Sequence, residues 1–509
     1  MKKFNLLFFV LLLLTGIACT PDNDKVVILH TNDTHSTIDP NENGIGGILR
    51  RKVIIDSVRH ADSNVLLVDA GDAVQGTPYY SMFGGEVEFA MIDRLKYDIV
   101  ILGNHELDNG VDSIAYYYKR LKANPISTNY DLSETKLAGV LDSYDIRQFG
   151  DRKIGFLGIN VDPKGLISDN KCIGVKYFDP VHVADSVAEY LKTEKGVDAV
   201  VAISHIGYQE RKGCVCDVAL AENTKYIDLI IGGHSHTTID PAAKEPKQYV
   251  FKNLDGRNVV VTQTGSHGKN VGCTTLNFVN DSLVIDYKLI PVTDRYDDRI
   301  DQNEVKFLAP YKQKVDSMMN HVVAQSDVAM RSRGGNEGMN WIADMAMELV
   351  PNIYKGKVDF AIMNKGGMRM PMPKGDVSEG LIKAMFPFDN YLWVLKIKGA
   401  ELLKSFKVMA ERGGDSVSKG VEVVYDKDGN IKSATLNGQK IRFNKEYTIV
   451  TLDYLANGGD YMSPLKTGEI VAKDESKWGE TLLNRLKEMG EKGIKITSTG
   501  ESRMTMTNK

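Results

Sequence analysis

Aspartate, asparagine and histidine recur directly after short apolar stretches, where their side chains could serve as metal ligands. Five of the ten histidines occupy such positions. Imidazoles and carboxylates together suit zinc, manganese or iron better than magnesium or calcium. Any one of these segments alone is typical of a turn or a solvated loop, but their recurrence favours one shared site. The five segments are Asp33-Thr34-His35, Asp69-Ala70-Gly71-Asp72, Gly103-Asn104-His105-Glu106-Leu107-Asp108, Ser204-His205 and Gly232-Gly233-His234-Ser235-His236.

The apolar stretches that precede these segments predict buried parallel strands, because they are short and continuously apolar. They span residues 26–29, 65–68, 99–102, 199–203 and 229–231. Amphipathic stretches at residues 48–58, 87–95 and 181–191 predict helices between them. Strands that alternate with helices indicate a layered α/β architecture, in which ligands bind beyond the carboxyl ends of the strands. The candidate ligands are therefore expected to converge.

Two divalent cations would suit a ligand set of this size. Two-metal phosphatases hold their ions about 4 Å apart, which requires a carboxylate that bridges them. Asp72 is the expected bridge, because it directly follows Gly71 at the end of a strand. Glycine lets the backbone turn sharply beside the ions.

The size and charge of the chain exclude several classes of protein. Its 509 residues favour about three domains or two large ones. Hydrophobic residues at 42% and charged residues at 26% are ordinary for a globular protein. A net charge of −4 provides no basic field, so we expect no nucleic acid polymer as a partner. Five cysteines are too few for a disulfide scaffold, although Cys214 with Cys216 or Cys172 with Cys273 could pair.

The first residues have the composition of a targeting signal. Lys2 and Lys3 precede an apolar run at residues 6–14 that is too short to span a membrane. The following Thr15-Gly16-Ile17-Ala18-Cys19 resembles a bacterial lipoprotein signal, which implies export and lipidation of Cys19. The alternative is an ordinary secretory signal cleaved near Ala18. We therefore predict a signal peptide at 1–18, a tether at 19–24 and a lipid anchor in the bacterial outer membrane, facing the periplasm or the surface.

The rest of the chain divides into two predicted domains. The predicted strands and helices described above fall within residues 25–295, and a polar stretch at 294–304 precedes a predicted helix at 305–319. We assign 296–325 to a linker helix and 326–509 to a second domain. That domain has predicted helices at 339–349 and 400–410 and predicted strands at 360–363, 421–425 and 447–451.

Two longer segments contain several of the candidate ligands: residues 28–36 (ILHTNDTHS) and residues 102–108 (LGNHELD). These segments resemble the two signatures of the 5′-nucleotidase family. The family couples a calcineurin-like metallophosphoesterase domain to a specific C-terminal domain. The resemblance covers essentially the whole mature chain, and it departs at Leu107, where the family usually has Phe. It implies an α/β fold: an N-terminal four-layer αββα sandwich followed by a mixed α/β substrate-binding domain.

The same resemblance assigns roles to the candidate ligands. One ion, zinc or manganese, would be held by Asp33, His35, Asp72 and His236, and the second by Asp72, Asn104, His205 and His234. Metal-bound hydroxide would attack phosphorus in line. His105 would stabilise charge on the phosphoryl oxygens, and Asp108 would orient His105.

Three segments of the second domain resemble substrate-binding segments of the family. Asn364-Lys365-Gly366-Gly367-Met368-Arg369 supplies Asn364 and Arg369, although Lys365 replaces a family glycine. Phe388, followed by Asp389 in place of glycine, and Tyr454 would hold a nucleobase between their rings, and Asp460 would hydrogen-bond the ligand. Arg331 or Arg333 could match a further family arginine.

The predicted function is that of an exported, dinuclear phosphohydrolase that removes the 5′-phosphate of nucleoside monophosphates. Within the same family, a UDP-sugar hydrolase or a 2′,3′-cyclic phosphodiesterase with 3′-nucleotidase activity is the alternative. A nucleotide-binding lipoprotein without turnover is a third possibility, but it would need a degraded metal site, and no expected ligand is missing. The sequence leaves the oligomeric state open.

Overall fold

Two sheets packed face to face form the first half of the protein in the computed structural model, which describes residues 24–209, 215–280, 282–331 and 335–507. The elements of this half, in chain order, are β1 (Lys25–Thr31), α1 (Ile48–Ala61), β2 (Val65–Asp69), α2 (Pro78–Phe83), α3 (Glu86–Leu95), β3 (Ile99–Ile101), α4 (Val111–Tyr118), β4 (Asn124–Ile126), β5 (Tyr130–Asp131), β6 (Tyr144–Phe149), β7 (Arg152–Ile159), β8 (Lys176–Tyr177), α5 (Pro180–Thr193), β9 (Ala199–Ser204), α6 (Asp217–Glu222), β10 (Leu229–Ile231), β11 (Val250–Lys252), β12 (Asn258–Thr262), β13 (Asn270–Val279) and β14 (Ser282–Pro291).

The sandwich has the four layers that the family resemblance implied. Among the described strands, one sheet has the order β14-β13-β1-β2-β3-β4 and the other β11-β12-β10-β9-β7-β6. Ile28 and Val68 of the first sheet pack against Phe156 and Val201 of the second. Helices α1, α3 and α4 cover the outer face of the first sheet, and α5 and α6 cover that of the second. The five predicted strands and three predicted helices of this domain are confirmed.

The second half is a mixed α/β domain. Its elements are α7 (Gln302–Met319), β15 (Val322–Ser326), α8 (Asn336–Leu349), β16 (Phe360–Met363), β17 (Gly375–Ser378), α9 (Glu379–Met385), β18 (Tyr391–Lys398), α10 (Gly399–Glu411), β19 (Ser416–Val417), β20 (Val421–Tyr425), β21 (Ile431–Leu436), β22 (Gln439–Lys440), β23 (Glu446–Leu452), α11 (Asp453–Ala456), β24 (Glu469–Lys477), α12 (Trp478–Glu491) and β25 (Met504–Met506). A sheet of order β19-β16-β23-β18-β24 shares one core, containing Phe360 and Phe406, with a second sheet of order β22-β21-β20-β25.

The helix between the two halves begins earlier than its apolar pattern predicts. Helix α7 begins at Gln302, because the Asp301 side chain accepts a hydrogen bond from the Asn303 backbone N–H at 2.9 Å and caps the first turn. The polar stretch before it forms a short 3₁₀ turn at Asp294–Arg299. The domain limits at 295 and 325 stay predictions. None of the described helices is both long and apolar enough to cross a membrane.

One of the two suggested disulfide pairings is wrong: Cys172 and Cys273 are free thiols. The pairing of Cys214 with Cys216 stays a prediction, because Cys214 lies outside the described residues. The Cys216 sulfur accepts a hydrogen bond from the Ala219 backbone N–H at 3.4 Å, at the start of α6. Cys19 and the predicted signal peptide also lie outside the described residues.

Candidate metal centre and substrate cleft

The ligand-bearing segments meet at one end of the sandwich, beyond the carboxyl ends of its parallel strands. They follow β1, β2, β3, β9 and β10. Two groups of predicted ligands have all their ligand atoms within 4.8 Å of one another: Asp33 with His35 and His236, and Asp72 with His205 and His234. A third group meets the same limit and links the first two: His35 with Asp72 and His105. The seventh candidate, Asn104, places its Oδ1 2.9 Å from Nδ1 of His234. The structure thus brings all seven predicted ligands together.

The first group surrounds a buried carboxylate. The Nε2 atoms of His35 and His236 lie 2.9 Å apart, and Oδ1 of Asp33 lies 3.3 Å from Nε2 of His236. Asn32 and the backbone N–H of His234 donate to Oδ2 of Asp33 at 2.6 and 3.0 Å. Asp33 is therefore held in place by its neighbours while its other oxygen faces the two imidazoles.

The second group is built around Asp72 and His205. Nδ1 of His205 donates to the carbonyl of Ala70 at 2.6 Å, which directs Nε2 to within 3.1 Å of Asp72 Oδ2. This Nε2 is buried, and the Asp72 carboxylate is its charged neighbour. Burial lowers the pKa of His205, but the Asp72 carboxylate more than reverses this effect and raises the pKa to about 10. The pocket thus strongly favours positive charge beside Asp72, as a cation site requires.

Most of the ligand residues have strained backbones. Five of the seven predicted ligands have positive φ angles: Asp33 (49°), His35 (47°), Asp72 (55°), His234 (71°) and His236 (55°). Such a conformation costs a non-glycine residue about 1–3 kcal/mol and persists where the surroundings enforce it. Here backbone hydrogen bonds join the β1 and β2 loops, from Asp33 to Gly71 and from His35 to Asp72. Strain concentrated in this way is characteristic of functional sites.

Glu106 secures the loop that carries Asp72. Its carboxylate accepts hydrogen bonds from the backbone N–H groups of Asp72 (2.9 Å), Ala73 (2.9 Å) and Gly103 (2.7 Å). A Cβ on Gly103 would lie 2.2 Å from Asp72 Oδ1, so only glycine fits there. Burial, followed by the charge of Asp72, raises the pKa of Glu106 to about 8. Sequence reasoning assigned Glu106 no role, although an acid inside the predicted ligand segment was the available signal.

His105 faces the opening of this site. Its backbone N–H donates to Asp72 Oδ1 at 2.9 Å, and its Nδ1 lies 2.7 Å from Asp108 Oδ2. Its Nε2 lies 3.3 Å from Nη2 of Arg369 in the second domain. The imidazole therefore stands beside the metal-ligand groups, held by Asp108 on one side and exposed to the cleft on the other.

A cleft of about 960 Å³ lies between the domains, and all five predicted substrate residues line it, together with Asp72, Asn104, His105, Asp108, His234 and His236. The Phe388 ring centre lies 6.3 Å from that of His105, and the Arg369 guanidinium carbon lies 5.8 Å from the Phe388 ring centre. Asn364 donates to Asp460 Oδ2 at 2.8 Å. The metal-ligand groups and the aromatic side chains thus open onto one cavity.

Contacts across the cleft hold the two halves together. The Tyr454 hydroxyl donates to the Leu166 carbonyl at 2.9 Å, and the Tyr461 backbone N–H donates to the Gly165 carbonyl at 3.0 Å. An ion pair joins Lys466 to Asp169 at 3.0 Å. The segment after β7 is therefore the part of the first domain that packs on the substrate residues of the second.

The remaining candidate arginines do not line the cleft among the described residues, whereas Lys365 and Asp389, which depart from the family pattern, do line it. Arg331 is exposed and is not among the described residues that line the cleft, and Arg333 lies outside the described residues. Asp389 pairs with Lys477 at 2.9 Å. The Lys365 ammonium donates to the carbonyls of Arg412 and Gly414 at 2.6 and 2.9 Å. Arg412, which sequence reasoning did not single out, also lines the cleft.

Comparisons with known proteins agree with this arrangement. The calcineurin-like phosphoesterase family matches residues 26–238, and the 5′-nucleotidase C-terminal domain matches residues 319–467. The chain is 27% identical to a 5′-nucleotidase of Vibrio vulnificus (strain CMCP6) across 89% of both chains. It is 26% identical to a 5′-nucleotidase of Homo sapiens, across 94% of this chain and 88% of that one. The 5′-nucleotidase precursor from Thermus thermophilus superposes with a TM-score of 0.84 at 27% identity, covering 95% of this chain and 100% of that chain.

The sandwich and the ligand groups at its end define the first domain as a calcineurin-like metallophosphoesterase. With its matching C-terminal domain, the chain belongs to the 5′-nucleotidase family, and it is a hydrolase of that type.

Proposed function

We propose that the protein removes the 5′-phosphate of nucleoside monophosphates, with two divalent ions, zinc or manganese, bound in the first domain. The placement of Arg369 carries this proposal. This arginine of the second domain reaches His105 beside the metal-ligand groups, and it also lies near the Phe388 ring. A molecule with a phosphate at one end and an aromatic base at the other matches this order in space: metal-ligand groups, arginine, aromatic ring.

Two ions held by these residues would supply an activated water and would polarise the phosphoryl oxygens. Asp72 belongs to the second ligand group and also has an oxygen within 4.8 Å of a ring nitrogen of His35 in the first, so it would be shared by both ions. Arg369 has a planar fork suited to binding a phosphate group. His105, held by Asp108, would donate a hydrogen bond to a phosphoryl oxygen as negative charge develops there.

The second domain would hold the nucleoside. Phe388 and Tyr454 would stack on the base, an interaction that tolerates any base because each has a π-face. Asp460 is an acceptor-only group when ionised, so it would bind sugar hydroxyls. The buried Oδ1 of Asn364 has no hydrogen-bond partner among the described residues, and it would accept from the ligand.

Phosphate release from a panel of esters tests the proposal. The purified protein is supplied with manganese or zinc, with and without chelator, and offered AMP, UDP-glucose, cyclic 2′,3′-AMP, 3′-AMP and p-nitrophenyl phosphate. Alkaline phosphatase is added to the UDP-glucose and cyclic diester reactions to reveal the monoester. We expect chelator-sensitive release chiefly from AMP.

A different preferred ester, or no hydrolysis, would identify a different function. Preference for UDP-glucose would identify a sugar-nucleotide hydrolase, and preference for cyclic 2′,3′-AMP or 3′-AMP a phosphodiesterase with 3′-nucleotidase activity. Silence across the panel with intact nucleotide binding would identify a binding protein and contradict the proposal.

We also propose that the protein is exported and anchored through a lipid on Cys19, which the lipobox-like sequence before it supports. Mass spectrometry of the mature N-terminus tests this. A diacylated N-terminal cysteine is expected, and a free N-terminus near residue 19 without lipid would identify an ordinary secretory signal.

A further inference from the structure

Arg412 binds Asp460 at two points at the nucleotide end of the cleft. Its Nη2 lies 2.8 Å from Asp460 Oδ2, and its Nη1 donates to the Asp460 backbone carbonyl at 3.1 Å. Both residues line the cleft. A guanidinium that binds a carboxylate and the carbonyl of the same residue fixes both the side chain and the backbone of that residue.

Arg412 is itself held in place from behind. Its Nη1 pairs with the buried Asp415 at 3.3 Å, and its carbonyl accepts a hydrogen bond from Lys365 Nζ at 2.6 Å. Lys365 belongs to the segment that also supplies Asn364, which donates to Asp460. The lysine that departs from the family pattern therefore connects the Asn364 segment to the end of α10.

Asp460 needs such support because its backbone is strained. Its φ of 54° and ψ of 32° lie in the left-handed region. Its N–H donates to the Tyr454 hydroxyl at 3.0 Å, and its Oδ1 has a weaker contact with the same hydroxyl at 3.3 Å. Oδ2 already accepts from Asn364 and Arg412, so Oδ1 retains most of the remaining acceptor capacity of this carboxylate.

We propose that Arg412 is a positioning residue for the sugar end of the substrate. It holds the Asp460 carboxylate in the one orientation that lets it accept hydrogen bonds from the vicinal hydroxyls of a ribose. The inference rests on the proposed nucleotide substrate. It assigns a role in sugar recognition to an ion pair that would otherwise only stabilise the second domain.

Steady-state kinetics with three esters separate these two roles. Arg412→Gln is compared with wild type on AMP, on 2′,3′-dideoxy-AMP, which lacks the diol, and on p-nitrophenyl phosphate, which lacks the nucleoside. We expect the KM for AMP to rise about tenfold, with kcat within about twofold, because a ground-state contact is lost. The KM values of variant and wild type are expected to be equal on the other two esters.

Two further variants serve as rescue and control. Arg412→Lys keeps the charge but can make only one of the two contacts with Asp460, so its KM for AMP should lie between those of wild type and Arg412→Gln. Arg485→Gln removes an arginine of α12 that pairs with Glu348 at 2.6 Å on the surface. Its kcat and KM should equal those of wild type on all three esters.

The contradicting results are distinct. An unchanged KM for AMP in Arg412→Gln, or an equal rise with the dideoxy nucleotide, would overturn the inference and leave the proposed function intact. Wild-type protein that hydrolyses p-nitrophenyl phosphate but no nucleotide would overturn both. If Arg412→Gln does not fold, the double variant Arg412→Gln/Asp415→Asn removes the unpaired buried charge, and the same comparison applies to it.

Discussion

The two ends of the cleft are held in place by different kinds of interaction. At the metal end, five of the seven predicted ligand side chains are buried, all seven belong to segments that follow strands of one sandwich, and backbone hydrogen bonds join the β1 and β2 loops. At the nucleotide end, four of the five predicted substrate side chains are partly exposed, and a network of ion pairs and hydrogen bonds around Asp460 connects the Asn364 segment to the end of α10. The comparison indicates that backbone contacts fix the geometry of the candidate metal-ligand groups, whereas the candidate substrate residues are positioned by side-chain contacts that can change without disturbing those groups.

Removing the Asp72 carboxylate, which we expect both ions to share, should have the largest effect on activity. Asp72→Asn should lower kcat/KM by at least about 10³-fold on AMP and on p-nitrophenyl phosphate alike, because both ion sites lose a charged ligand. Steady-state rates and bound metal, measured by mass spectrometry, are the readouts. Asp316→Asn, at an exposed ion pair on α7, is the matched control. Retained hydrolysis in Asp72→Asn would refute the two-metal account.

Replacing the cleft histidine separates catalysis from metal binding. His105→Gln should lower kcat by about 10²–10³-fold with both esters, while metal content stays at the wild-type level, since His105 is a donor to the phosphoryl oxygens. His60→Gln, at the exposed end of α1, should have no effect. Loss of metal in His105→Gln would instead make His105 a ligand.

The support of the Asp72 loop should matter for metal affinity. Glu106→Gln replaces one acceptor oxygen by a donor, so at least one of the three backbone N–H groups loses its partner. We expect metal affinity to fall by about 10–100-fold, as for other residues that orient metal ligands. Competition with a chromogenic chelator measures this, with Glu422→Gln on β20 as the control. Unchanged affinity would show that the loop holds its shape without Glu106.

Replacing an aromatic residue at the nucleotide end should weaken the hydrolysis of AMP but not that of p-nitrophenyl phosphate. Phe388→Ala should raise the KM for AMP about tenfold, because one base-stacking contact is lost, and leave p-nitrophenyl phosphate hydrolysis unchanged. Phe443→Ala removes a phenylalanine that is 64% exposed and should change neither ester. An equal loss on both esters would mean that Phe388 supports His105 rather than the base.

The difference between the two ends also explains what the sequence could predict. Each predicted metal ligand lies a few residues beyond an apolar strand, so the local pattern and the rule for parallel sheets were enough to predict that Asp33 and His236 converge across about two hundred residues. The network at the other end has no such signal. The pairing of Arg412 with Asp460 depends on how α10 packs beside the loop after β23, and no spacing in the chain indicates it.

In two other places the structure differs from what the apolar pattern or the expected compartment suggested. Helix α7 begins at Gln302, within a polar stretch, because the Asp301 side chain caps its first turn. The expected oxidising compartment was the only basis for the suggested cysteine pairs. In the structure, Cys172 and Cys273 are separate free thiols.

Crystals grown with manganese and a slowly hydrolysed AMP analogue would show whether both ends of the cleft bind one substrate. Anomalous scattering should show two ions, one in each ligand group with Asp72 between them. The phosphate should lie beside His105 and Arg369, and the base between Phe388 and Tyr454. A single ion, or a base bound away from both rings, would contradict the assignment of chemistry and substrate choice to the two ends of one cleft.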